Sequence, residues 1–311
     1  MQKLFVVKSI LMISIFQCLS SFLFSQINKA DSSVQIISYW KTGENQIYSV
    51  KDKKVQIKGN DTIVKRDNHY TVEMKVLDMT DKSYTIQWEY KTGDSYNKSN
   101  DFDLFSGLVK AYKVIYKTNE MGEFSEVVNW KEIRNIFNSI IKTAAKEEKR
   151  NKDLANILKQ ISEMYSSKEA IEAYAIKDIQ QFHSLFGVSL KLNEKLETES
   201  EIIFPLNNMP IKNEAEVCLT EILEDDYSVY FKQRMDPDQL KEYTFQFIEK
   251  LMKDVKNAKS IDRNIMNELK NEIYNQSKFH DSGWLISSGQ TITVTSMEFT
   301  SIESRTIELK L

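Results

Sequence analysis

A chain of 311 residues with 42 basic and 45 acidic side chains is close to charge balance. It holds no basic block interleaved with aromatics, which argues against nucleic acid as a partner. Its 8 glycines and 3 prolines fall well below average use of about 7% and 5%, so it has few of the special-backbone loops on which catalytic sites are commonly built.

Residues 1–25 carry Lys3 and Lys8, then a mostly apolar run from Ser9 to Phe24, then Ser25 before Gln26. That order predicts a cleaved signal peptide with its cut near Ser25/Gln26, and hence an exported chain, periplasmic or extracellular. Cys18 follows Gln17, where a lipobox needs Gly or Ala. The run is broken by Lys8 and Gln17 and falls short of the ~20 apolar residues of a bilayer anchor. No later stretch reaches that length, so no membrane span is expected after cleavage. Cys218 is then the one cysteine left, so no internal disulfide is expected and the core must hold the fold.

From 34 to 118 the chain reads as β-structure. VQIISYW, IYSVKDKKVQIKG, YTVEMKVLDM and YTIQWEYKTG alternate or are rich in β-branched and aromatic residues, with turns at Gly43, Gly59-Asn60-Asp61, Thr80-Asp81-Lys82 and Gly93-Asp94. An apolar patch at Phe102 to Leu108 precedes another strand, VKAYKVIYKTN. A hairpin turn at Gly122 leads to FSEVV. The period then changes to helical: Asn129 caps a helix carrying Trp130, Ile133, Phe137 and Ile141, and a second helix carries Leu154 to Tyr165. A third opens with Ser166 and Glu169 in capping-box spacing and ends before Gly187. Strands return in EIIFPL, EAEVCLTEIL and DYSVYFKQRM. Asp236 and Pro237 open a helix with Leu240, Tyr243 and Phe247 in its stripe, and Ser260 caps another through Ile261, Ile265, Leu269 and Ile273. SGWLIS, QTITVTSMEF and RTIELKL close the chain as strands.

Strands first, helices in the middle and a mixture at the end predict an α+β fold rather than alternating βαβ units. The expected architecture is a curved, half-barrel-like antiparallel β-sheet covered by helices. It forms a single domain over 26–311 with a helical insertion at about 129–186.

His280-Asp281-Ser282 has the composition of a catalytic triad, but alternation along an extended chain would turn Asp281 away from its neighbours, and Asp-Ser-Gly is a turn composition. Ser287-Ser288-Gly289-Gln290-Thr291 lacks the glycines and the following helix of a phosphate loop and reads as a hairpin corner. His69, His183 and His280 have no further His or Cys at ligand spacing, so no metal and no cofactor are expected. Acidic Glu221, Glu224, Asp225 and Asp226 lack the pattern of a calcium loop, and no catalytic residue is assigned. The aromatics are more informative. Trp40, Tyr70, Trp88, Tyr90, Trp130 and Trp284 are candidate lining residues for an apolar ligand if sheet and helices enclose a cavity.

The leader ending FLFSQ, the junction FSEVVNWKEI and the ending SGWLISSGQTITV resemble a family of secreted Bacteroidota proteins of unknown function. The order of elements is also similar to the periplasmic lipoprotein-carrier architecture, and that likeness implies an apolar or lipid ligand. The reading is an exported, non-enzymatic protein binding an apolar ligand or lipid. One alternative is a scaffold module whose insertion docks on an envelope protein. Another is a hydrolase whose site assembles only in three dimensions around His280 or His183.

Overall fold

A computed structural model of the protein describes residues 26–96, 113–147, 162, 166–204, 209–252, 263–266 and 268–310. The leader, the apolar patch at 102–108 and, apart from position 162, the second expected helix lie outside the described residues.

The first strands are β1 (Ile27–Asn28), β2 (Ser33–Gln35), β3 (Asn45–Lys58), β4 (Asp61–Thr80), β5 (Ser83–Tyr96), β6 (Lys113–Asn119) and β7 (Phe124–Val127). Three helices follow: α1 (Trp130–Glu147), α2 (Lys168–Tyr174) and α3 (Lys177–His183). Then come β8 (Ser189–Lys191), β9 (Lys195–Phe204), β10 (Met209–Ile222) and β11 (Asp226–Met235). Helix α4 (Pro237–Met252) and a 3₁₀ turn (Arg263–Met266) lead to β12 (Lys270–His280), β13 (Leu285–Thr295) and β14 (Thr300–Leu309).

The fold is α+β and mostly antiparallel strand. Eleven strands form one open sheet in the order β7-β6-β5-β4-β3-β14-β13-β12-β11-β10-β9. Two meanders thus run outward from a central seam where β3 pairs with β14, Val50 against Ile307 and Asp52 against Arg305. Strands β1, β2 and β8 form a second, small sheet.

Both ends of the large sheet are blunted against pairing with another chain. At β7 the Glu172 carboxylate of α2 accepts the Val127 backbone N–H at 2.7 Å. At β9 the exposed Glu197, Glu199 and Glu201 stand along the free edge.

Four expectations are corrected. Gly93-Asp94, expected as a turn, lies within β5. The stretch expected to be one helix from Ser166 is two short ones. Ser167, rather than Ser166, caps the first by accepting from the Ala170 N–H at 3.1 Å, and α3 starts afresh after Ala175 and Ile176. The helix expected from Ser260 does not continue through Ile273, because from Lys270 the chain pairs on both sides, with β11 and with β13, while its expected start at Ser260 and Ile261 lies outside the described residues. Ser288-Gly289 is not a corner. It lies inside β13, held between Ser277-Gln276 of β12 and Ile307-Thr306 of β14. Pairing on both flanks outweighs local turn composition.

The Asp281-Ser282-Gly283 corner is a turn, and its geometry explains the glycine. Gly283 has φ +84°, and a Cβ there would meet the Ile37 carbonyl oxygen at 2.5 Å. The segment 36–40 crosses over this turn, and Trp40 Nε1 donates to the Gly283 carbonyl at 3.2 Å. A Gly283→Ala substitution should lower unfolding free energy by about 1–3 kcal/mol through left-handed strain and displacement of that segment. Urea denaturation checks this, and an unchanged midpoint would contradict it.

Candidate functional site

Strand alternation gives the large sheet two faces. The core face carries Tyr48, Val50 and Asp52 of β3, Val72 and Met74 of β4, Trp88 of β5, Phe279 of β12 and Arg305 and Ile307 of β14, all buried. Helix α3 sends Lys177, Asp178 and Gln181 against its centre, and the three residues meet a buried ionic hub there.

Arg305 is only 5% exposed. Its Nε lies 2.8 Å from Asp178 Oδ1, and the Tyr70 hydroxyl donates to the other oxygen of that carboxylate at 2.7 Å. Arg66 of β4 brackets Asp52, donating from Nη2 at 3.0 Å with Nε 2.6 Å from the second oxygen. Glu303 lies 2.9 Å from Arg66, 3.3 Å from Lys177 and 3.4 Å from Arg305. The Gln181 amide donates to the backbone carbonyls of Ser288 at 3.1 Å and Arg305 at 3.2 Å.

Burial alone would raise the Glu303 pKa. Lys177, Arg66, Arg305 and Lys54 overcome it and hold the carboxyl down at about 2. Burial also opposes the Arg305 charge, and Asp178 and Asp52 outweigh it, so the guanidinium stays protonated. Such a network adds little net stability compared with an apolar core, but removing one member strands the others and typically costs about 3–5 kcal/mol.

Five of the six candidate lining residues, Trp40, Tyr70, Trp88, Tyr90 and Trp284, come together beside this hub, and all are buried in one cluster. Phe182 of α3 sits among them, with ring centroids 5.5 Å from Trp88, 5.4 Å from Tyr48 and 6.3 Å from Trp40. Trp40 lies 5.1 Å from Trp284, and Tyr70 lies 5.8 Å from Tyr90. Trp130 is apart from them. It is half-buried at the start of α1 against the margin of the cluster, with the Arg134 guanidinium 5.2 Å from its ring.

Beside the hub, where Ile292 pairs directly with Glu303, the core face is filled less completely. Phe231 of β11, Ile273 of β12 and Ile292 and Val294 of β13 are half-buried, and Ile273 and Ile292 are directly paired. The strip lies between two sealed clusters. Phe231 packs against the large one, and Val294 against a smaller one built from Phe204, Ile211, Leu240, Met266 and Leu269.

His280-Asp281-Ser282 is a turn, as expected, but not for the expected reason. Asp281 does not point away from His280: its carboxylate lies 3.0 Å from His280 Nδ1, and Ser282 Oγ lies 2.7 Å from the same nitrogen. A triad needs acid and nucleophile on opposite ring nitrogens. Here both meet one nitrogen, which also accepts the Ser282 backbone N–H at 3.1 Å. The cluster is a turn clasp.

His183 is buried. Its Nδ1–H donates to the Gly122 carbonyl at 2.7 Å, and the Tyr116 hydroxyl donates to Nε2 at 2.8 Å. Both nitrogens are thereby committed to the fold. Among the described residues, no three His, Cys, Asp or Glu side chains gather to hold a metal ion, and no helix is long and apolar enough to cross a membrane. Cys218 is buried and free.

Two depressions of about 680 and 450 Å³ adjoin at the β9 end of the sheet and share Glu199, Glu214 and Arg234. Their walls are charged, so they suit neither an acyl chain nor a stacked ring. No protein-family model matches this chain, and no curated protein does.

Burial drives the His183 pKa from 6.5 to about 3 against the smaller pull of the Gly122 carbonyl. A depressed folded pKa stabilises above the unfolded value and is lost as pH falls towards the folded one. Between pH 7 and pH 5 this residue alone should therefore remove ~2 kcal/mol. In urea titrations a His183→Gln variant, which has no proton to take up, should lose that much less over the same interval. Equal losses in both proteins would contradict the assignment.

Proposed function

We propose that this chain is an exported binding protein that takes an apolar ligand, such as a lipid acyl chain, on the core face of its large sheet. In this reading the sheet curls around that face, half-barrel-like, and the helices cover it. The observation that carries the proposal is the unequal filling of one face. The half around Phe182 is sealed, whereas the strip of Phe231, Ile273, Ile292 and Val294 is apolar and half-buried between two closed clusters. Apolar side chains left partly open between sealed walls are what an apolar ligand can complete, at about 25 cal/mol per Å² removed from water.

The aromatic group of Trp40, Tyr70, Trp88, Tyr90 and Trp284 belongs to the closed cluster against which Phe231 of the strip packs. A ligand would reach those residues only by displacing Phe182, which the ionic hub opposes. The same geometry counts against a scaffold role carried by a detachable insertion, because α3 brings Asp178 and Phe182 into the centre of the core. Loss of a partner on deleting 129–186 would report unfolding.

Native mass spectrometry of the purified protein, combined with titration by a fluorescent fatty acid, tests the proposal. Saturable binding is expected, and Ile292→Asp should weaken it at least about tenfold by placing a carboxylate in the strip, with the thermal midpoint within a few degrees of the parent. Failure to bind the fatty acid, or undiminished binding by a folded Ile292→Asp protein, would refute it.

A further inference from the structure

The opposite, outer face of the sheet carries a feature that the fold itself does not use. Gly289 sits in the interior of β13 with strands paired on both sides. Its backbone is not in the left-handed region, which among the described glycines holds Gly43, Gly59, Gly122, Gly187 and Gly283. No atom lies within 4 Å of where its Cβ would be. Neither conformation nor packing therefore requires glycine at this place. A mid-strand glycine weakens a sheet by roughly 0.5–1 kcal/mol relative to alanine, and one commonly marks a close approach by a ligand.

The space that the missing side chain leaves is the floor of a trough of about 420 Å³, within the usual range of small-molecule sites of roughly 300–1,000 Å³. Gln276 and Thr306 face Gly289 across β12 and β14, and Tyr274, Thr291 and Ser304 form the next row. Alternation points these side chains away from the buried Asn275, Ser277, Ser288 and Arg305 of the core face. Tyr274 is 45% exposed, and its ring is held by stacking on Tyr230, with centroids 6.3 Å apart and planes at 23°.

We propose that this trough binds a neutral saccharide chain. Three observations select that class. The lining is of hydroxyls and one side-chain amide, which offer donors and acceptors to a polyhydroxylated ligand. One rigid, half-exposed aromatic ring stands beside them, apolar on its face and suited to the C–H face of a sugar ring. The lining is mainly neutral, with Lys278, engaged by Asp226 at 3.0 Å, and Glu308 as its two charged side chains. The site lies on the other face from the apolar strip and stands independently of it.

Isothermal titration of the purified protein with cellohexaose, laminarihexaose, chitohexaose and maltohexaose tests the assignment. At least one should bind at millimolar concentration or better. Gly289→Thr, which fills the floor, and Tyr274→Ala, which removes the ring, should each weaken that binding at least about tenfold. Gly289→Thr should keep or raise the thermal midpoint, since a β-branched residue suits an open mid-strand position. The proposal is overturned by absence of binding to all four oligosaccharides, by binding unchanged in both variants, or by a Gly289→Thr protein that no longer folds. It is also overturned if light scattering shows self-association of the parent that Gly289→Thr abolishes, which would make the trough a contact between copies.

Discussion

A guanidinium buried at the seam of a wide sheet has to be neutralised, and here the nearest of its carboxylates arrives on a seven-residue helix. Arg305 stands where the two meanders meet, and Asp178 reaches it from α3 at 2.8 Å. A helix that short has no stability of its own in water. Its shape and position come from what it touches: Asp178 and Gln181 on the sheet's polar centre, Phe182 among the aromatics, and His183 between Tyr116 and the Gly122 carbonyl. Each contact ties α3 to a different part of the sheet. Asp178 and Gln181 hold the β3–β14 seam and its neighbours, while His183 holds the β6–β7 hairpin. The hub is costly to disturb and adds little net stability by itself. Its effect is to fix where the helix sits, and so which half of the core face is sealed and which is left partly open.

Much of the architecture was legible in the sequence. Period-two alternation in IYSVKDKKVQ, YTVEMKVLDM and YTIQWEY marked β3, β4 and β5, Gly122 marked the hairpin between β6 and β7, and Asp236-Pro237 marked the start of α4. Local composition misled where pairing on both flanks decides. Ser288-Gly289 looks like a corner and is mid-strand, and Ile273 fits a helical stripe and is in β12. The hub left a signal of a kind easily passed over. Asp52 falls in phase with Tyr48 and Val50, and Arg305 in phase with Ile307 and Leu309, so alternation placed two opposite charges on the buried side of adjacent strands. Glu303 falls in the same phase as Arg305 on β14, whereas Asp178 carried no comparable sign, because α3 and its approach to the sheet are set by the tertiary fold.

The two faces of the sheet divide the chemistry. The core face is apolar around an ionic centre, and its half-open strip is where the lipid-binding proposal rests. The outer face is polar, acidic towards the free edge at β9 and rich in hydroxyls around Gly289. Glu197, Glu199 and Glu201 guard the free edge against strand addition and line the charged depressions together with Lys212, Lys232 and Arg234. The Gly289 trough is the place on that face where an interior strand carries a glycine that neither conformation nor packing requires. Five of the six aromatics singled out by sequence, all but Trp130, build the sealed wall that holds α3. The strip residues Phe231, Ile273 and Ile292 were hidden among ordinary strand positions.

The central claim is that α3 is an integral part of the sheet's core, fixed by Arg305, Asp178 and Phe182. Native-state hydrogen exchange across increasing denaturant measures this directly. The account predicts that amides of α3, such as that of Gln180 bonded to the Ile176 carbonyl, exchange only with global unfolding, at the same free energy as the amides of the β3–β14 seam. Exchange of α3 at a clearly lower free energy, with the seam still protected, would contradict it.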